Sequence, residues 1–303
     1  MVIWVPPCAL ARFCPRTMTP APFSIALSEG PGSAKAYFLG TSDGVKIRLT
    51  VWQPDAAKGT VVIYTGRTEF GEKYGRVAAE VLGRDYALVV IDWRGQGASD
   101  RLLPDPRVGH VGAFEDYQRD ADATETAMQE LDLPRPWFAI AHSLGGAIGL
   151  RKVIRGIDAK AIVFSAPMWG IAMSPFNRFL GHVLPPLAKC VGRQNRYILG
   201  LNSDHYVLST PFSENALTGD EDHYEFLRRN VREASHLGIG GPSYHWLSQA
   251  LAETAALRRA AKPDVPVHVL MGTLEDTVDP AAVQATANAW PAATSEMLSL
   301  IHI

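Results

Sequence analysis

Ala141-His142-Ser143-Leu144-Gly145-Gly146 follows the apolar run Trp137-Phe138-Ala139-Ile140 and precedes the helix-like Ala147-Ile148-Gly149-Leu150-Arg151. A strand, a sharp turn bearing serine and then a helix make a nucleophile elbow, which presents the hydroxyl at the edge of a sheet. The turn strains the serine backbone, and strand and helix pass so closely that the positions two before and two after must be small. Ala141 and Gly145 occupy them. Alanine departs from the usual glycine at the first, but it is the next smallest side chain.

Working outward, short apolar runs alternate with helical patterns. Ala36-Tyr37-Phe38-Leu39 and Lys46-Ile47-Arg48-Leu49-Thr50-Val51 read as a hairpin around Ser42-Asp43-Gly44. Thr60-Val61-Val62-Ile63-Tyr64 and Ala87-Leu88-Val89-Val90-Ile91 flank a helix over residues 74–82, and their continuous apolar character predicts strands covered on both faces. A helix over 117–131, the Trp137 strand, the helix after Ser143 and the strand Ala161-Ile162-Val163-Phe164 continue the alternation. The pattern predicts a doubly wound, mostly parallel α/β sheet.

Alternation stops at Pro167 and resumes at Val265-Pro266-Val267-His268-Val269-Leu270-Met271. The interval holds amphipathic stretches over 176–184, 224–235 and 243–257, separated by segments rich in Gly, Pro and Asn. The chain therefore divides into an N-terminal extension (1–33), a core (34–166 and 258–297), a helical cap (167–257) and a tail (298–303). Residues 1–17 read as translation from a start upstream of Met18. In the cap, Phe176, Phe179, Leu180 and Val183 share one helix face before Pro185 and Pro186 interrupt it; they either line an acyl pocket or pack the cap onto the core.

Composition narrows the function classes. Of 303 residues, 47% are hydrophobic and 20% charged, and the formal net charge is -2 without a basic block, which argues against nucleic acid as a partner. The three cysteines, Cys8, Cys14 and Cys190, have no ligand-like spacing and no even disulfide framework, so a reducing, cytoplasmic setting and no metal are expected. A phosphate-cradling glycine loop after the first parallel strand is missing, so no cofactor is expected. No run reaches the roughly 20 apolar residues that span a bilayer.

A serine hydroxyl needs a histidine to take its proton and a carboxylate to orient that histidine, in the chain order serine, acid, histidine. Gly272-Thr273-Leu274-Glu275-Asp276-Thr277-Val278 follows a late strand, making Asp276 the expected acid and Glu275 its neighbouring alternative. The oxyanion of the attacked ester needs two fixed N–H donors. Leu144, after the nucleophile, supplies one, and Arg67 in Thr65-Gly66-Arg67-Thr68-Glu69 is the candidate for the other.

Gly66-Arg67-Thr68-Glu69, Tyr74, Ile91-Asp92-Trp93-Arg94-Gly95-Gln96-Gly97-Ala98-Ser99, the elbow and residues 272–276 together resemble the bacterial lysophospholipase and monoacylglycerol-lipase branch of the α/β-hydrolases. The resemblance covers about residues 35–297 and implies a serine hydrolase of carboxylic esters acting on lysolipids or monoacylglycerols, in the cytoplasm or peripheral to the inner membrane, with the cap as the membrane contact. A small-ester or lactone hydrolase is the enzymatic alternative, and a binding protein on the same fold is the alternative without catalysis.

The base is harder to place. His142 adjoins the serine, His110 precedes the elbow, His182, His205, His223, His236 and His245 lie in the cap, and His268 lies in a strand before the acid. Only His302 follows Asp276, within Leu298-Ser299-Leu300-Ile301-His302-Ile303. That hexapeptide is also the translation of CTGTCTCTTATACACATC, the end of a transposon adapter used in sequencing libraries. The tail is therefore read as adapter-derived, with the last strand and helix incomplete, the natural chain continuing past Met297 to its histidine, and these 303 residues nearly inactive.

Overall fold

The computed structural model describes residues 18–299; Cys8, Cys14 and His302 lie outside the described residues. In chain order the elements are β1 (Thr19–Pro20), α1 (Ile25–Ser28), β2 (Lys35–Gly40), β3 (Lys46–Trp52), β4 (Thr60–Tyr64), α2 (Gly75–Leu82), β5 (Ala87–Asp92), α3 (Asp116–Glu130), β6 (Trp137–His142), α4 (Leu144–Arg155) and β7 (Ile162–Ser165). The cap helices α5 (Pro175–Cys190), α6 (Tyr206–Ser209), α7 (Glu221–Glu233) and α8 (Tyr244–Arg259) follow, and β8 (Val267–Gly272), α9 (Pro280–Asn288) and β9 (Ala293–Leu298) complete the core.

The strands form one sheet in the order β1-β2-β3-β5-β4-β6-β7-β8-β9. The β2–β3 hairpin is antiparallel as expected, and β3 runs antiparallel to β5, whereas β5, β4, β6, β7, β8 and β9 are mutually parallel. β5 is buried along its whole length, the reason its sequence is continuously apolar instead of alternating. After β4 the chain moves to β5 on one side and then returns to β6 on the other. The loops leaving β4 and β6 therefore meet at the topological switch point, where open α/β sheets form their ligand crevice.

Three features add to the sequence reading. Residues 18–33 pack onto the core: the Ser28 side chain is buried, Phe23 meets Trp52 edge to face, and Trp52 Nε1 donates to Pro31 O at 3.2 Å. Helix α5 runs through Pro185 and Pro186 to Cys190. Proline fixes a helical φ and costs the hydrogen bonds to the carbonyls four residues back; Gly181 lies close to Leu247 and Leu251 of α8, and Pro185 is buried. The last strand pairs with β8 from Val267↔Ala293 to Gly272↔Leu298. Its exposed Thr294, Ser295 and Glu296 carry little apolar signal.

Residues 91–99 make a tight turn at the end of β5. Gly95 and Gly97 have φ of 83° and 56°, and a Cβ at Gly97 would overlap the Asp92 carboxylate, which accepts from Gly71 N and Ala98 N at 2.8 Å each. Arg48 closes this buried knot, pairing with Asp92 and Glu72.

Candidate active site

Ser143 sits between β6 and α4 with φ 49° and ψ -116°, a conformation that costs a non-glycine residue about 1–3 kcal/mol. The surrounding backbone holds it: Ser143 N donates to Ser165 O at 3.1 Å, while Ser143 O accepts from Gly146 N and Met168 N at 2.8 Å each. A Cβ at Gly145 would overlap Tyr64 O, and one at Gly146 would run into Pro167. Ala141 is tolerated because its methyl faces Gly149, on the next turn of α4, where no side chain competes for the space. The close approach at Gly145 places the start of α4 against the end of β4 and Thr65.

The turn after β4 is held at nearly every polar group. Thr65 Oγ1 donates to Ile91 O at 2.8 Å and Trp93 Nε1 donates to Thr65 O at 2.9 Å. Gly66 N donates to Glu69 Oε2 at 2.5 Å, and Thr68 N to Gln96 Oε1 at 3.4 Å. Arg67 N, between them, has no acceptor among the described residues. Leu144 N belongs to the first turn of α4, whose N–H groups have no intrahelical acceptor and carry the positive end of the helix dipole. Two predicted donors thus lie on two loops in contact.

The Arg67 side chain is far from being a solvated charge. Its guanidinium donates to Gly240 O and lies 5.6 Å from the Trp246 ring, so the same residue ties the turn to the cap. Burial, offset in part by Tyr117, pushes its pKa down to about 10.

The turn expected to carry the acid follows β8, two strands from β6. It is stitched to the segment leaving β7 by Ala172 N to Thr277 O at 3.1 Å, Asp279 N to Gly170 O at 3.1 Å and an Ile171↔Val278 bridge. Within it, Asp276, the acid singled out from sequence, is exposed and its Oδ1 accepts only a long 3.4 Å bond from Thr277 Oγ1. Glu275 is 8% exposed, and its Oε1 accepts from Thr277 N at 2.7 Å and Val278 N at 3.0 Å. Adjacent turn residues point in opposite directions, and the inward one here is Glu275.

Several of the described histidines have partners of their own. His142 Nδ1 faces Ser165 O at 3.1 Å, and its ring lies beside Gly66 and Glu69. His110 and His245 stack at 5.4 Å where the cap meets the core; His110 Nδ1 lies 2.9 Å from Ser243 Oγ and His245 Nε2 donates to Gly112 O at 2.6 Å. Burial, assisted by Lys73 and Arg67, pushes His205 down to about 3, so it is neutral at working pH. His182 Nδ1 donates within its own helix to Arg178 O at 2.7 Å, and His268 pairs with Thr294 at 2.7 Å.

Of the cap residues expected on one apolar face, Phe176 and Phe179 are 67% and 63% exposed, while Leu180 and Val183 are half-buried. The two phenylalanines neither pack the cap down nor enclose a pocket. Glu69 and Gln96, both inside quoted motifs, were assigned no role from sequence; a carboxylate three residues after a turn glycine is the signal that could have marked Glu69 as a partner of the Gly66 N–H.

Comparison with known proteins agrees with this geometry. The family model described as serine aminopeptidase, S33 matches residues 55–301. Lysophospholipase L2 of Escherichia coli (strain K12) is 33% identical over 255 residues, covering 81% of this chain and 72% of that protein. Among solved structures, a monoacylglycerol lipase of Paleococcus ferrophilus superposes with a TM-score of 0.61 at 18% identity, over 83% of this chain and 88% of that one. A soluble variant of monoglyceride lipase from Saccharomyces cerevisiae gives 0.63 at 17% identity, over 97% and 88%. Likeness at such low identity shows the α/β-hydrolase fold.

Proposed function

The chain belongs to the serine aminopeptidase S33 family, and from that premise we propose that it hydrolyses carboxylic esters of the lysophospholipid or monoacylglycerol class through an acyl-enzyme. Ser143 Oγ attacks the acyl carbonyl as a histidine takes its proton. The carbonyl oxygen becomes an anion received by the N–H groups of Arg67 and Leu144. The tetrahedral adduct collapses, the alcohol leaves with the proton from histidine, and water then releases the fatty acid by the same steps in reverse order.

The observation that carries this reading is the strained Ser143 at the start of α4 beside a turn in which the Arg67 N–H, between the bonded Gly66 and Thr68 N–H groups, has no acceptor among the described residues. For the acid, burial favours Glu275 over Asp276, because a carboxylate orients imidazole best where water does not compete. The base belongs after the acid in the chain, the stretch that contains His302.

The cap is proposed to touch the membrane surface from the cytoplasmic side. No helix among the described residues is long and apolar enough to cross a membrane, while α5 exposes Phe176, Phe179 and Leu187 and the residue after it, Val191, is exposed as well. These suit shallow insertion among lipid headgroups, where the substrate resides.

The test is hydrolysis of 1-acyl lysophosphatidylethanolamine, a monoacylglycerol and p-nitrophenyl butyrate by protein expressed from its complete reading frame. Lipid hydrolysis abolished by Ser143→Ala is expected. Turnover of the butyrate ester alone points to a small-ester hydrolase, and no Ser143-dependent turnover of any substrate contradicts the reading.

A further inference from the structure

The turn after β4 contains a carboxylate that the acyl-transfer steps do not use. Glu69 is 16% exposed at its side chain; Oε2 accepts from Gly66 N and from the Tyr74 hydroxyl at 2.5 Å each, and Oε1 takes the Lys73 ammonium at 3.1 Å. Burial pushes its pKa up, but Lys73, His142, the Tyr74 O–H and the Gly66 N–H outweigh burial and hold the carboxyl well below the usual range. Glu69 is an anion at every working pH.

All of these hydrogen-bond partners lie within five positions of Glu69 in the chain. These hydrogen bonds of the carboxylate shape one turn, and His142 of β6 is the distant group that acts on it. That turn requires holding, because Thr68 has φ 66°, an unfavourable conformation for a β-branched residue. Gln96 grips its other side, donating to Gly66 O at 2.8 Å and Glu69 O at 3.0 Å. Gly66 N and Thr68 N are thereby occupied, and the N–H between them is left for a ligand. A Cβ at Gly66 would lie 2.9 Å from Glu69 Oε2 and 3.1 Å from the His142 ring, so the glycine is what lets the carboxylate and the residue preceding the nucleophile close on the same backbone.

We infer that Glu69 is a positioning residue for the oxyanion hole: its grip on the Gly66 N–H fixes the turn that aims the Arg67 N–H at the developing oxyanion. Lys73, at ion-pair distance, neutralises a charge that would otherwise oppose the oxyanion. The inference rests on the ester-hydrolase reading and adds to it a residue that touches neither substrate nor nucleophile.

A donor mispositioned this way is felt in the transition state and not in substrate binding, and losing one oxyanion donor costs about 100-fold or more in kcat. Kinetics with p-nitrophenyl butyrate and inhibition by butylboronic acid, which forms a tetrahedral adduct on serine, test it. Glu69→Ala is expected to lower kcat about 100-fold with KM within about twofold, and to weaken the boronate by a comparable factor. Glu69→Gln keeps the shape and one acceptor oxygen, and should recover roughly tenfold of that loss. If the alanine variant does not fold, the glutamine variant decides, with a kcat about tenfold below the parent expected. A glutamine variant with the parent's kcat and boronate affinity, or one altered only in KM, overturns the inference. Absence of Ser143-dependent hydrolysis in the parent instead overturns the functional reading, and this inference with it.

Discussion

The proposed nucleophile half of the site, where β4 and β6 end, and the proposed acid half, where β8 ends, are held in different ways. Around Ser143 the restraints are backbone on backbone: α4 rests on Tyr64 O and Thr65, and Ser143 bonds to Ser165, Gly146 and Met168. Around Glu275 the turn hangs between the segment leaving β7 and the edge strand β9, whose residues are mostly exposed. The first half is specified by what cannot be added without collision, the second by which of two neighbouring carboxylates turns inward. Substitutions should therefore separate the halves.

The largest effect expected is at the nucleophile. Ser143→Ala should lower kcat by about 10⁴-fold or more while leaving the fold intact, read from ester hydrolysis and circular dichroism. In the acid half the outcome should depend on one position in the chain. Glu275→Gln should cost about 10³- to 10⁴-fold in kcat, and Asp276→Asn less than about fivefold. The reverse pattern would move the acid to the exposed carboxylate and erase the contrast in burial.

Stability should divide the same way. Gly145→Ala forces a methyl into Tyr64 O and should lower stability by about 1–3 kcal/mol in urea unfolding, whereas Thr273→Ala, exposed in the acid turn, should change it by less than about 0.5 kcal/mol. A smaller effect concerns acid. Because Glu69 is held below its unfolded pKa of about 4.3, its contribution is present above that pH and is lost as pH falls. The gap in Tm between the parent and Glu69→Gln should be constant above about pH 5 and shrink progressively as the pH falls below about 4.3. The smallest effect on chemistry belongs to the cap: Phe176→Ser with Phe179→Ser should reduce flotation with phosphatidylethanolamine/phosphatidylglycerol vesicles while leaving p-nitrophenyl butyrate hydrolysis unchanged within about twofold.

The same contrast explains what could be read in the sequence. β5 is buried along its whole length and β4 along most of it, so burial writes itself into Val61-Val62-Ile63 and Leu88-Val89-Val90-Ile91, and the elbow glycine is demanded by sterics. β9 answers to solvent on most of its length, and Thr294-Ser295-Glu296 leaves no periodic trace. Helix α9 did carry a signal in Asp279-Pro280, a cap residue followed by proline at the first helical position. Phe176 and Phe179 have the same helical spacing whether they face a core or a membrane, and spacing alone does not distinguish the two. Glu275 and Asp276 differ by the direction of one turn residue, which depends on the Thr277 and Val278 N–H groups that Glu275 caps.

The central claim is that Ser143 is an activated nucleophile facing a preformed oxyanion hole. It is tested most directly by incubating the protein expressed from its complete reading frame with a fluorophosphonate probe and mapping the modified peptide by mass spectrometry. Stoichiometric modification of Ser143, slowed by Glu69→Ala and abolished by Ser143→Ala, is the predicted result. An unmodified Ser143 in folded protein, or equal labelling of the Ser143→Ala variant, would contradict it.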